Sequence, residues 1–259
     1  MCANRIIDET EKHEGKRLTG VGGFLFRKEA LGALQTEIAA RTRGLSKPFH
    51  AAHCNSQKGE FYGWDYDKCQ ALLCDIAGIV AKHRGIGVIC AVDNEDFDTW
   101  KDRQPSTAEW LGTPYSVCLF AAIDIARQYL DDAEIDEDIF HLIESGRTGR
   151  KQGENFLRRI KTNEELDKRF HMRGYTFIDK GDPDGLLLCC AVLFVWSWQR
   201  NHLESERSVK RGGEEGTLCT SFRRLFLDHN TPPICNAHLN GKTLSFETLR
   251  VAFLCIIFD

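Results

Sequence analysis

Apolar positions along this chain fall into two patterns: short continuous runs that end in carboxylates, and longer stretches with helical spacing between them. The segment Arg5-Ile6-Ile7-Asp8-Glu9-Thr10 opens the first pattern, with two β-branched residues running into paired acids. A second strand-like run, Leu18 to Phe26, follows within a hairpin's reach. A strand ending in Asp-Glu beside a hairpin partner puts acid groups at the rim of a sheet, where phosphoryl-transfer enzymes often hold divalent metals. The same residues also suit a polar strand end entering a turn.

The remaining elements alternate. Leu31, Leu34 and Ile38 predict a helix over Lys28 to Arg43, stopped at Gly44. The segment Pro48 to Cys54 reads as a strand or a functional loop. Cys69, Leu72, Leu73, Ile76, Ala77 and Val80 share one face of a helix predicted over Asp65 to Arg84. Ile86 to Asp93 is a near-continuous apolar run, the pattern of a strand buried on both faces, and it too ends in an acid. An acidic, aromatic stretch from Asn94 to Gly112 reads as a surface loop, its aromatics open to an interaction role. Thr113-Pro114 starts a core helix over Tyr115 to Leu130. Strands are expected at Ile139 to Glu144 and Gly174 to Asp179, with a helix between them and a buried helix from Leu186 to Trp198. The tail carries Phe222 to Leu227, a Pro232-Pro233 break and an amphipathic stretch from Phe246 to Ile257. This order predicts one α/β domain over 1–205, with 206–259 as a C-terminal helical extension packed on it.

Composition narrows the function classes. Hydrophobic content of 42% and charged content of 28% are ordinary for a globular domain. A formal net charge of -4 provides no global basic field for nucleic acid, so any such binding has to be local. Arg147 to Arg173 supplies a local field, with nine basic residues against four acids. Arg147, Arg150, Lys151, Arg158 and Arg159 form a candidate phosphate-binding patch, and a solvated helix face is its plain alternative. The longest apolar run, Leu186 to Trp198, is too short for a bilayer span. With no signal-peptide pattern and eleven scattered cysteines, the expectation is a reducing, cytoplasmic setting without a membrane partner.

His50, His53 and Cys54, with Cys69 and Cys74 downstream, raise a zinc reading. The absence of any Cys-X-X-Cys pair and the apolar-face position of Cys69 weigh against it. Nothing in the sequence ties a thiol to a base, and the Cys189-Cys190 pair reads as packing.

Taken together, the ordered motifs are Asp8-Glu9, Phe49-His50, Glu144-Ser145-Gly146, and Phe177-Ile178-Asp179-Lys180 before a long apolar helix containing Trp196. This order resembles the domain-of-unknown-function 3800 family, whose members look like variants of the ribonuclease H fold, over roughly residues 5 to 200. The resemblance implies a ribonuclease H-like mixed sheet flanked by helices. It implies that Asp8 and Glu144 are metal carboxylates, with His50 lining the same edge. Asp93 or Asp184 would complete a Mg²⁺ or Mn²⁺ site, and Glu9 and His50 would orient ligands or handle protons. Two departures stand out: Thr10 replaces the family's Ser, and Val192 occupies the helix position where the family has an acid. Asp179, Asp182 or Asp184 is then the nearest substitute. The leading expectation is a divalent-metal-dependent nuclease or related phosphodiester-processing enzyme. Its rival is a catalytically degenerate module that binds nucleic acid or a protein partner.

Overall fold

The computed structural model describes residues 2–9, 18–145, 150–210 and 251–256, with side chains described for 18–145 and 150–200. In chain order the elements begin with strand β1 (Cys2–Glu9), strand β2 (Leu18–Arg27), helix α1 (Lys28–Thr42), short helix α2 (Ala51–Asn55) and helix α3 (Tyr66–Lys82). Strand β3 (Ile86–Asp93) leads to helices α4 (Asn94–Arg103), α5 (Pro105–Leu111) and α6 (Pro114–Asp132). Strand β4 (Asp138–Glu144), helices α7 (Arg150–Thr162) and α8 (Glu164–Phe170), strand β5 (Met172–Ile178), helix α9 (Leu188–Lys210) and strand β6 (Val251–Ile256) complete the order.

Local chemistry sets the boundaries. Asp65 caps α3 by accepting from the Asp67 amide, and Thr113 caps α6 by accepting from the Ser116 amide, with Pro114 at the first helical position. Asn163 separates α7 from α8: its side chain accepts from the Leu166 amide and opens a new helix.

All six strands join one mixed sheet in the order β5-β4-β1-β2-β3-β6. β1, β2 and β3 form an antiparallel meander, while β4 runs parallel to β1 and β5 parallel to β4. Such parallel neighbours require crossovers, which α4 to α6 and α7 to α8 supply. Both sheet faces are covered. On one, Phe24, Phe26, Ile89 and Ile178 meet α1, α3 and the apolar first half of α9. On the other, Val21, Val88, Cys90, Val92 and Ile143 meet α6, with Phe156, Leu157 and Ile160 of α7 outside it. α9 seats closely on the sheet because Gly22 has no side chain: a Cβ there would stand 2.9 Å from Ile89 Cγ1 and 3.0 Å from Val195 Cγ2.

Five expectations are corrected. The expected loop 94–112 holds two helices, since Asp93 caps the first while Phe97, Trp100, Ala108 and Leu111 bury into the α6 side. The Pro48 to Cys54 segment turns into α2, with buried Ala51 and Cys54 on its inner side. The expected helix from 147 to 173 is two helices and the start of β5. The boundary at 205/206 falls inside α9. The expected helical extension contributes a strand, because Val251–Ile256 pairs antiparallel with β3. A short apolar run reads equally as helix or strand from sequence, and the open hydrogen-bonding edge of β3 decides it. Phe222 to Leu227 and the Pro232-Pro233 break lie outside the described residues. No helix among the described residues is long and apolar enough to cross a membrane.

Candidate functional site

Strand direction gathers acids at one margin of the sheet. β1, β3, β4 and β5 all end there, in Glu9, Asp93, Glu144 and Ile178, and Asp179 follows directly. The parallel register pairs Ile7 with Ile143, so position 8 lies beside Glu144 across the next step of the ladder. Neighbouring strands are about 4.8 Å apart, within reach of one shared cation.

Glu144 is the best-defined member. Its side chain is only 16% exposed, and Oε1 lies 2.7 Å from Nζ of Lys180. Its Oε2 is buried without a hydrogen-bond partner among the described residues. Lys180 comes from the turn after β5, which is braced locally. The Asp179 amide donates to Asp182 Oδ2 at 3.1 Å, and the Ser145 hydroxyl donates to the Asp179 carboxylate. Gly185 lets that turn close, since a Cβ there would overlap the Asp179 carbonyl oxygen at 2.0 Å. Gln35 of α1 donates to the Pro183 carbonyl at 3.2 Å and holds the turn from outside.

The Lys180 charge also reaches Cys189, at the start of α9. Burial pushes the Cys189 thiol up to about 12, against the opposing pull of Lys180 and of backbone hydrogen bonds that include one from Phe49. A thiol held protonated is no nucleophile near neutral pH, and here it packs. The same contact brings the Phe49-His50 segment to the α9 end of the margin. His50 is solvent-exposed there and precedes α2.

The other expected ligands lie differently. Asp93 is 6% exposed and accepts from the Glu95 amide at 2.9 Å and the Asp96 amide at 3.4 Å, as the cap of α4. Three strand intervals separate β3 from β4, about 14 Å. This corrects the expectation that Asp93 completes the Glu144 site. Asp184 is exposed on the 3-10 turn at 183–187. Val192 is 4% exposed and packs in the core, so no acid reaches the margin from that helix position. Glu9 ends β1, pairing with Val21 of β2.

Among the described residues no three His, Cys, Asp or Glu side chains gather to hold a metal. Two neighbouring carboxylate positions, with a buried unpaired oxygen on one, offer the hard oxygen donors that Mg²⁺ or Mn²⁺ prefers. Two ions would need more carboxylates than these two positions supply. His50 and His53 stack at 4.2 Å on the surface, while the Cys54 thiol points inward and donates to the Cys69 carbonyl at 3.5 Å. Imidazoles and thiols therefore face opposite ways.

The basic segment is narrower than its sequence. Arg159 donates to the Trp110 carbonyl at 2.8 Å, at the end of α5. Lys161 pairs with Asp167 at 2.7 Å, and Arg169 with Asp124 at 2.6 Å. Arg150, Lys151 and Arg158 are exposed cations without carboxylate partners among the described residues, and Arg147 lies outside them. Arg159 thus commits one guanidinium nitrogen to the end of α5.

Sequence reasoning quoted Lys180 within a motif but assigned it no role. The available signal was only a cation directly after the strand expected at 174–179, and its place beside Glu144 comes from the parallel pairing of β5 with β4. No family model, curated protein or solved structure matches the chain.

Proposed function

We propose that this chain is a divergent ribonuclease H-like protein that processes phosphodiesters of nucleic acid, with Asp8 and Glu144 as its metal carboxylates. One observation carries the reading: parallel pairing of β1 and β4 sets position 8 beside Glu144, whose Oε2 is buried and unpartnered among the described residues. The strand order supports it, since a three-stranded meander continued by two parallel strands is the arrangement expected of that fold. So does the order of motifs that resembles the domain-of-unknown-function 3800 family. Asp8 and Glu144 would hold a Mg²⁺ or Mn²⁺ ion, which would supply positive charge toward the phosphate and acidify a water. Lys180 holds Glu144 in place through Oε1 and brings a second positive charge to the same margin. His50 is exposed at the rim, placed to exchange protons with solvent. Arg150, Lys151 and Arg158 attract the backbone of the substrate.

The rival reading, a non-catalytic nucleic-acid-binding module, is favoured by the Lys180 pair, which already neutralises Glu144, and by the apolar Val192. One assay separates them. With labelled DNA and RNA and added Mn²⁺, Asp8→Ala is expected to lower cleavage by about a hundredfold or more with circular dichroism unchanged. A wild-type protein that binds the same strands without cleaving them, and loses affinity on charge reversal at Arg150, Lys151 and Arg158, supports the rival.

A further inference from the structure

The proposed carboxylates, Asp8 and Glu144, leave a charge problem at the sheet margin. One divalent ion would only cancel them, and a phosphodiester brings a further negative charge. In hydrolysis a water oxygen bonds to phosphorus, the bond to the leaving ester oxygen breaks, and that oxygen takes up a proton from solvent. Negative charge builds on the phosphate and leaving oxygens meanwhile. A second ion can meet that charge, but it needs further carboxylates. The nearby candidates are placed otherwise. α9 sends no acid from Val192, which packs in the core. Asp179 accepts from the Ser145 hydroxyl, and Asp182 accepts from the Asp179 amide at 3.1 Å. Asp93 caps α4, three strand intervals away from β4.

What stands beside Glu144 instead is an ammonium. Lys180 Nζ lies 2.7 Å from Glu144 Oε1, on a side chain that is 25% exposed, so its charge is close to the carboxylate and still open to the margin. The backbone around it is fixed on both sides. Before it, the Ser145 amide donates to the Ile178 carbonyl at 2.9 Å and ties the end of β5 to β4. After it, the Asp182 amide donates to the Asp179 carbonyl at 3.0 Å and the Gly185 amide to the Asp182 carbonyl at 2.9 Å. Gln35 holds the same turn from α1. Such bracing matters because a charge already in position costs no reorganisation as the transition state forms. A lysine is also a compact point charge, suited to a phosphate oxygen.

We infer that Lys180 takes the place of a second metal ion, contacting the phosphate oxygens on which charge builds, so that the site works with one divalent cation. The inference rests on the proposed phosphodiester reading and adds a catalytic residue to it. The test compares Lys180→Met with the wild type in three measurements on the full chain. These are Mn²⁺ binding by electron paramagnetic resonance, affinity for labelled DNA and RNA strands by fluorescence anisotropy in Ca²⁺, and cleavage in Mn²⁺. The variant should bind one Mn²⁺ at least as tightly as the wild type, yet hold the strand about tenfold less tightly. Its cleavage should fall about a hundredfold, and Lys180→Arg, which keeps the charge, should recover at least about tenfold of that loss. A lysine that only braces Glu144 would lose Mn²⁺ binding together with cleavage. One that only blocks the ion would, on removal, strengthen both. Either result overturns the inference. So does wild-type cleavage with a sigmoidal dependence on two Mn²⁺ ions, a result that needs no variant to fold. A wild type that binds no Mn²⁺ and cleaves nothing defeats the phosphodiester reading itself and takes the inference with it, an outcome distinct from the others.

Discussion

Glu144 and Lys180 show how a residue pair can be legible in part. A carboxylate at a strand end is visible in sequence, and its partner is not, because the contact depends on β5 lying alongside β4. The thiols are simpler. Burial raises Cys54 and Cys189 from an ordinary value of 9.0 to about 12, and raises Cys118 and Cys190 well above it. The unfolded chain ionises these groups near pH 9, whereas the folded chain keeps them protonated. Their contribution to stability is therefore complete below pH 9 and is lost as pH rises from 9 toward 12. Each thiol contributes a slope of about 1.4 kcal/mol per pH unit across that window. Urea midpoints should stay level from pH 7 to 8.5 and fall steeply above 9. A midpoint that holds level through pH 10.5 contradicts the burial of these thiols.

Among the elements, α4 defines what Asp93 does. Its carboxylate accepts from two amides of the first turn, so Asp93→Ala should cost about 1–2 kcal/mol in chemical denaturation. Mn²⁺ affinity should not change, and a loss of that affinity would return Asp93 to the proposed metal site. Elements with one dominant signal were legible. β3 is a continuous apolar run, and α6 begins at a Thr-Pro cap that the structure reproduces. α4 and α5 were hidden because their acid-rich surface outweighs four buried apolar residues, Phe97, Trp100, Ala108 and Leu111. The strand Val251–Ile256 was hidden for another reason: six apolar or small residues carry no period, and only the open edge of β3 selects the extended form.

At the level of the whole molecule, chain topology creates the site. The crossover from β3 to β4 puts a strand that begins at residue 138 parallel to one that ends at residue 9, and no local feature of either stretch announces it. The α/β alternation and the acids at strand ends were readable because each is a local pattern. Their convergence depends on strand order, which a sequence does not display. The central claim is that Asp8 and Glu144 share one divalent cation, and Mn²⁺ electron paramagnetic resonance on the full chain tests it most directly. The account predicts one bound Mn²⁺, weakened at least about tenfold by Asp8→Asn and by Glu144→Gln, and tightened by Lys180→Met as the competing ammonium is removed. Equal Mn²⁺ binding by the wild type, Asp8→Asn and Glu144→Gln would contradict it.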